Sequence, residues 1–222
     1  MRVLLRSSLA LVFVVLAAPF VSAQNPPPNA DNLKKANARP VASPSPSTNA
    51  DAFANATVAQ MSGQCVTLDT EQGAIVMEVL PEKAPQTVRD FLNLAASGAL
   101  DTTTFSRVVK GFVIQGGNLS TSEHWGAELA TRMQRVVPDE PNDVRHVRGI
   151  VSMARTEEAN SATTHFFILV APAPHLDSKF AAFGTVTKGM EVVDAINQAP
   201  GEGEKPEKPV KIIRAVVNLC KK

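Results

Sequence analysis

The chain has 222 residues, of which 22 are Lys or Arg and 21 are Asp or Glu, and its formal net charge is +1. This length accommodates one or two domains with a hydrophobic core. A net charge so close to zero gives no electrostatic reason to expect binding to nucleic acid or to an anionic membrane.

The N-terminal segment has the pattern of an export signal. Two arginines precede an apolar run from Leu9 to Val21, and Val21-Ser22-Ala23 forms a small-x-small cleavage pattern before Gln24. We interpret residues 1–23 as a cleaved signal peptide. A permanent transmembrane anchor is the alternative, but the uncharged run is shorter than the roughly 20 residues of a spanning helix. We therefore expect no membrane span after cleavage.

Residues 24–60 differ in composition from the rest of the chain. They are rich in Pro, Asn, Ala and Ser, with a Pro triplet at 26–28 and an alternating Ser-Pro stretch at 43–47. Few of them are large and apolar, so burial cannot offset the entropy lost on ordering. We predict a disordered linker, with a proline-motif ligand for a partner as the alternative. The folded domain is then 61–222.

Within residues 61–222, short β-branched runs alternate with turn residues and predict strands. The predicted strands are Cys65–Asp69, Ala74–Leu80, Gly111–Ile114, Ile150–Ala154, Phe166–Val170 and Val210–Asn218. A 3.6-residue apolar period predicts two amphipathic helices, at Thr87–Ala96 and Met190–Ala199. Many short strands with only two helices favour a barrel or sandwich whose open ends are closed by the helices.

Three blocks of characteristic sequence follow one another in this domain. They are Phe105–Asn118, then Gly149–Arg155 with Asn160–Leu169, then Leu176–Asp177 with Phe183–Val186. In order and spacing they resemble the signature segments of the cyclophilins, and the resemblance covers nearly all of residues 65–220. It implies a closed eight-stranded antiparallel β-barrel capped by two α-helices, with a binding groove on the outer face.

The resemblance also implies an activity and a set of site residues. Cyclophilins are peptidyl-prolyl cis/trans isomerases, so we expect a monomeric enzyme without cofactor or metal that acts on X-Pro bonds of unfolded or flexible polypeptides. Arg107 matches the catalytic arginine of the family. The substrate-binding positions that match are Phe112, Val113, Gln115, Arg155, His165, Phe167, Leu176 and Phe180. The four histidines show no metal-ligand spacing.

The chemistry of the reaction explains why these residue types are needed. Rotation of an X-Pro bond breaks amide resonance but no covalent bond, so the catalyst must favour the twisted amide. The guanidinium of Arg107 can donate to the proline nitrogen, whose lone pair becomes available in that state. A proline-binding chaperone module with weak or no catalysis is the alternative.

Three groove positions depart from the family pattern. Ser106 replaces a histidine, His165 a glutamine, and His175 a tryptophan or phenylalanine. Isomerisation needs no proton transfer, so we expect reduced rather than absent activity. The changes also argue against tight cyclosporin binding.

Two cysteines stand at the two ends of the predicted domain. Export would place Cys65 and Cys220 where disulfides persist. If the first and last strands pair antiparallel as in the cyclophilin barrel, the two cysteines approach each other. The resemblance to exported bacterial forms predicts a periplasmic location, and secretion is the alternative.

Overall fold

The computed structural model describes residues 51–221; the predicted signal peptide, 1–23, and residues 24–50 of the predicted linker lie outside this part. The strands are β1 Gln64–Thr70, β2 Gly73–Val79, β3 Arg107–Val109, β4 Val113–Gly116, β5 Ile150–Met153, β6 Phe166–Leu169, β7 Ala182–Lys188, β8 Gly201–Glu202, β9 Lys205–Pro206 and β10 Ile212–Leu219. The α-helices are α1 Val58–Met61, α2 Pro85–Ala96, α3 Ala127–Met133 and α4 Met190–Gln198.

Eight strands form one curled antiparallel sheet in the order β10-β1-β2-β7-β5-β6-β4-β3. This confirms a mainly β, eight-stranded fold, but the predicted closed barrel is wrong: the sheet is a half-barrel whose outer strands β3 and β10 share no ladder. The other edge of β3 is occupied by the chain between β8 and β9, where Val108 N donates to Glu204 O at 2.8 Å. The chain just before β3 meets the segment that leads into β10, where Phe105 N donates to Val210 O at 2.9 Å.

A small hairpin of β8 and β9 lies beside the short edge strand β3. Gly203 takes a φ of 57° at its turn, a left-handed conformation that glycine adopts without strain. The backbone N of Val108 in β3 donates to the carbonyl of Glu204 at 2.8 Å. The hairpin therefore supplies a partner to an edge strand that would otherwise be open.

Strand alternation gives the sheet two different faces. Val108, Ile114 and Ile168 face the main hydrophobic core and are almost fully buried. Val113 and Phe167, their neighbours along β4 and β6, belong to a second, smaller apolar cluster. The outer cluster is thus built by the same strands that build the core.

The two predicted helices are present as α2 and α4. Pro85 stands at the start of α2, where its missing N–H costs no hydrogen bond. Phe91 packs edge-on against Phe166, with ring centroids 5.2 Å apart, and its ring is tilted against that of Phe183 with centroids 4.8 Å apart. A capping role of these two helices over the curled sheet stays a prediction. The shorter helices α1 and α3 were not predicted.

The described fold begins before the predicted domain boundary at residue 61. Residues 51–60 form turns and most of α1, and Phe53 N donates to Asn93 Oδ1 at 2.7 Å. At the other end, β1 pairs antiparallel with β10, and Cys65 and Cys220 form a disulfide across a sequence separation of 155. No helix of residues 51–221 is long and apolar enough to span a membrane.

Candidate active site

A cavity of about 160 Å³ opens on the outer face of the sheet, over β3, β4 and β6. Its walls are mainly apolar, with two arginines and one glutamine among the lining residues. The residues that line it are Arg107, Phe112, Val113, Gln115, Ala154, Arg155, Phe167, Leu176 and Phe180. Eight of the nine predicted site residues are therefore brought together in one place.

Strand register explains why residues far apart in sequence meet here. Arg107 pairs with Gln115 between β3 and β4, and Gln115 pairs with Phe167 between β4 and β6. Phe167 in turn pairs with Ser152 on β5. Paired residues project to the same face of a sheet, so the four side chains form one row across the outer face.

Arg107 is held by three side-chain hydrogen bonds at the edge of the cavity. Its Nε donates to Glu204 Oε2 at 2.7 Å, and its Nη2 donates to Glu204 Oε1 at 2.9 Å. Its Nη1 donates to Gln115 Oε1 at 3.1 Å. A guanidinium carries five N–H groups, so two on the Nη atoms have no partner among residues 51–221. These two are available to a molecule in the cavity.

Aromatic rings form the walls of the cavity. Phe167 and Phe180 meet edge to face, with ring centroids 6.0 Å apart, and Phe167 and Leu176 are 6% and 8% exposed. Phe112 lies at the rim, where the centroid of its ring is 5.7 Å from that of the exposed His175 ring. The result is a half-enclosed apolar cup with room for a small ring.

Arg155 closes another side of the cup. Its guanidinium carbon lies 5.0 Å from the centroid of the Phe180 ring, a cation–π distance. Its Nη1 donates to Thr156 O at 2.9 Å, and its Nε lies 3.7 Å from Asp139 Oδ2. The Arg155 side chain therefore packs against the Phe180 ring at the cavity wall.

The loop that carries Phe112 and Val113 is fixed by one buried amide. Asn197 of α4 accepts from Gly111 N at 2.9 Å and donates to Val109 O at 2.9 Å and Val113 O at 3.1 Å. All polar groups of this side chain point at the turn between β3 and β4. The amide thus sets the position of the cavity's rim.

A second buried network lies behind Leu176. His146 makes a 2.9 Å hydrogen bond through Nε2 to Ser152 Oγ and a 3.2 Å contact through Nδ1 to Asp177 Oδ1. Burial lowers the pKa of His146, and the backbone N–H of His146 lowers the pKa of Asp177 by donating to it. His146 and Ser152 are almost fully buried, so this set positions the chain and has no access to a substrate.

The structure differs from the predicted site at three positions. His165 does not line the cavity: it lies just before β6 begins, its carbonyl accepts from Ala154 N at 2.9 Å, and burial lowers the pKa of its ring. Ala154 lines the cavity and was not predicted. Glu204 was missed as well, because it lies 97 residues from Arg107 in the sequence and no local motif marks it.

Metal-ligating side chains do not gather near the cavity or elsewhere in the described part of the chain. Within residues 51–221, no group of three or more His, Cys, Asp or Glu side chains is arranged to hold a metal ion.

Comparison with known sequences gives one consistent result. Residues 65–217 match the family model described as cyclophilin type peptidyl-prolyl cis-trans isomerase. Peptidyl-prolyl cis-trans isomerase A of Dickeya dadantii is 39% identical over 162 residues, which are 68% of this chain and 83% of that protein. The isomerase cypE of Dictyostelium discoideum is 35% identical, over 71% of this chain and 100% of that protein.

Solved structures agree. A cyclophilin-type peptidyl-prolyl cis-trans isomerase of Cryptosporidium parvum, crystallised in the presence of the dipeptide Ala-Pro, superposes with a TM-score of 0.62 and 28% identity. The match covers 69% of this chain and 98% of that one. A cyclophilin of Hirschia baltica, with 23% identity and a TM-score of 0.55, shows the same fold.

Proposed function

The chain belongs to the cyclophilin-type peptidyl-prolyl cis-trans isomerases, and from this premise we propose that it isomerises X-Pro bonds of exported polypeptides by an arginine-assisted mechanism in the outer-face cavity. One observation carries the proposal: an arginine with two N–H groups that no residue of 51–221 accepts lies at the edge of an apolar cup the size of a small ring.

The barrier to be lowered is the resonance of the amide before proline, about 18–20 kcal/mol. The apolar cup holds the proline ring while the preceding peptide rotates. Rotation makes the proline nitrogen pyramidal and exposes its lone pair, and a free N–H of Arg107 donates to it. Because the planar ground state offers no such acceptor, this hydrogen bond stabilises only the twisted state.

The size of the arginine contribution follows from hydrogen-bond energies. A charge-assisted hydrogen bond is worth about 1.5 to 3 kcal/mol, and each 1.36 kcal/mol corresponds to about a tenfold rate change. Removal of Arg107 should therefore lower kcat/KM by about ten- to a hundredfold. The apolar walls supply the remaining acceleration.

The test follows cis-to-trans isomerisation of a short Ala-Pro-Phe peptide over a series of protein concentrations. Wild type, Arg107→Ala and Arg107→Lys are compared, since lysine keeps the charge but loses the fork of N–H groups. We expect acceleration by wild type and loss in both variants. Peptide binding by wild type without acceleration would replace the proposal with a proline-binding chaperone.

Export to the periplasm is part of the same proposal. Its support is the N-terminal pattern of residues 1–23 and the Cys65–Cys220 disulfide, which persists in oxidising compartments. Fractionation of cells expressing the full chain tests it. Mature protein without residues 1–23 in the periplasmic fraction is expected; protein in the medium indicates secretion, and full-length protein in the cytoplasm contradicts export.

A further inference from the structure

Glu204 binds the guanidinium of Arg107 through Nε and Nη2. The Nε and Nη2 donors take one carboxylate oxygen each, at 2.7 and 2.9 Å, which is the fork geometry that fixes both direction and plane of an arginine. Gln115 then takes one N–H of Nη1. One N–H on Nη1 and one on Nη2 then have no partner among residues 51–221.

The carboxylate itself is placed by the backbone. The carbonyl of Glu204 accepts from Val108 N at 2.8 Å, directly beside Arg107 in β3. Gly203, with its positive φ, precedes it at the turn of the β8–β9 hairpin. The side chain of Glu204 therefore starts from a fixed point next to the arginine.

The solvent exposure of the Arg107–Glu204 ion pair indicates that it contributes little to folding stability. The side chain of Arg107 is 40% exposed and that of Glu204 is 56% exposed. Ion pairs with this much solvent contact add little to folding, since water screens them and two long side chains must be ordered. Without Glu204, the flexible arginine would be held by one neutral acceptor, the Gln115 amide.

We propose that Glu204 is a positioning residue for the isomerase reaction, holding Arg107 so that its free N–H groups face the cavity. The proposal rests on the proposed function, because it assigns Glu204 a role only through Arg107. No group of Glu204 needs to touch the substrate.

The first test compares Glu204→Gln with Glu202→Gln. Both changes remove one charge from the same exposed hairpin, but no side-chain hydrogen bond joins Glu202 to Arg107. Small errors in the position of a catalytic group cost up to about a hundredfold in rate, and we expect about a tenfold lower kcat for Glu204→Gln. KM should be unchanged, because the apolar cup is intact. Glu202→Gln should match wild type.

The second test repeats Glu204→Gln in the Arg107→Ala background. A residue that acts through Arg107 has no further effect once that side chain is gone. An equal loss of kcat in both backgrounds would mean that Glu204 only supports the hairpin, and the proposal would be overturned. Unchanged or increased kcat for Glu204→Gln alone would overturn it as well.

The same data distinguish the positioning role of Glu204 from the proposed isomerase function. If wild type does not accelerate isomerisation, the proposed function fails and the role of Glu204 fails with it. If wild type is active, Arg107→Ala is impaired and Glu204→Gln is not, the proposed function stands and the positioning role alone is rejected.

Discussion

The two faces of the curled sheet use the same strands and differ in what covers them. On the inner face, Ile114 and Ile168 are completely buried in the main core. On the outer face, Val113 and Phe167 are also apolar and nearly buried, but they line the cavity. Both faces are therefore hydrophobic along these strands, and they differ in that one is filled by the core and the other borders an open cavity.

The faces also differ in their polar groups. The row of paired residues Arg107, Gln115, Phe167 and Ser152 places charge, amide and ring side by side on the outer face. The inner row of Val108, Ile114, Ile168 and Val151 contains only aliphatic side chains. Changes on the inner face should therefore affect folding, and changes on the outer face should affect the reaction.

Two adjacent phenylalanines of β6 give the largest expected difference between the two faces. Phe166 faces the core with no exposed surface, and Phe167 faces the cavity. Phe166→Ala should lower the free energy of unfolding by about 3 to 5 kcal/mol, because it leaves a closed void. Denaturant unfolding measures this.

Phe167→Ala is the matched change on the other face. It should cost less stability, since its site is already open on one side. It should lower kcat/KM about tenfold, equivalent to about 1.4 kcal/mol of lost contact with the proline ring. Equal losses of stability and activity in both variants would contradict the division of the two faces.

Removal of the disulfide tests whether the stability of the fold can be lowered without changing activity at the cavity. Cys65 and Cys220 join the start of β1 to the chain beyond β10, and neither strand lines the cavity. The double change Cys65→Ala with Cys220→Ala should lower the free energy of unfolding by about 2 to 5 kcal/mol. At temperatures where the variant is folded, kcat/KM should equal that of wild type. A lower kcat/KM would show that the two regions are coupled.

The smallest expected effect is on the pH dependence of stability. It arises from the buried network of His146, Ser152 and Asp177. Burial lowers the pKa of His146 below its usual 6.5, so the unfolded state binds a proton more readily than the folded state. Stability is then present at neutral pH and lost as pH falls. His146→Gln should make the loss of unfolding free energy between about pH 7 and pH 5 shallower. Burial also lowers the pKa of His165, so part of the pH dependence of the unfolding free energy should remain in this variant. An unchanged slope would exclude His146 as a source.

Local patterns predicted the longer elements well. The expected helix Thr87–Ala96 is α2 at Pro85–Ala96, and the expected strand Cys65–Asp69 is β1 at Gln64–Thr70. Both have clear apolar periods and buried faces. β3, with three residues, and α3, with seven, were missed because a short segment shows little periodicity. The strand β7, Ala182–Lys188, was also missed, although it is as long as β1.

The site was predictable where a motif marks it and not elsewhere. Arg107 and Gln115 lie in one block of sequence eight residues apart, and register brings their side chains together. Glu204 lies in a charged hairpin that reads as solvent-exposed loop, and only the docking of that hairpin on β3 places it at Arg107. The closed barrel was predicted wrongly, because the β8–β9 hairpin and not β10 lies along the edge of β3.

We propose that the outer-face cavity both binds X-Pro peptides and catalyses rotation of the X-Pro bond through Arg107. Two-dimensional NMR exchange spectroscopy of an Ala-Pro peptide with catalytic amounts of protein measures exchange between the cis and trans signals directly. We expect wild type to raise the exchange rate, and Arg107→Ala to lower that acceleration about ten- to a hundredfold while peptide signals still report binding. Equal exchange rates for wild type and Arg107→Ala at equal occupancy would contradict the account.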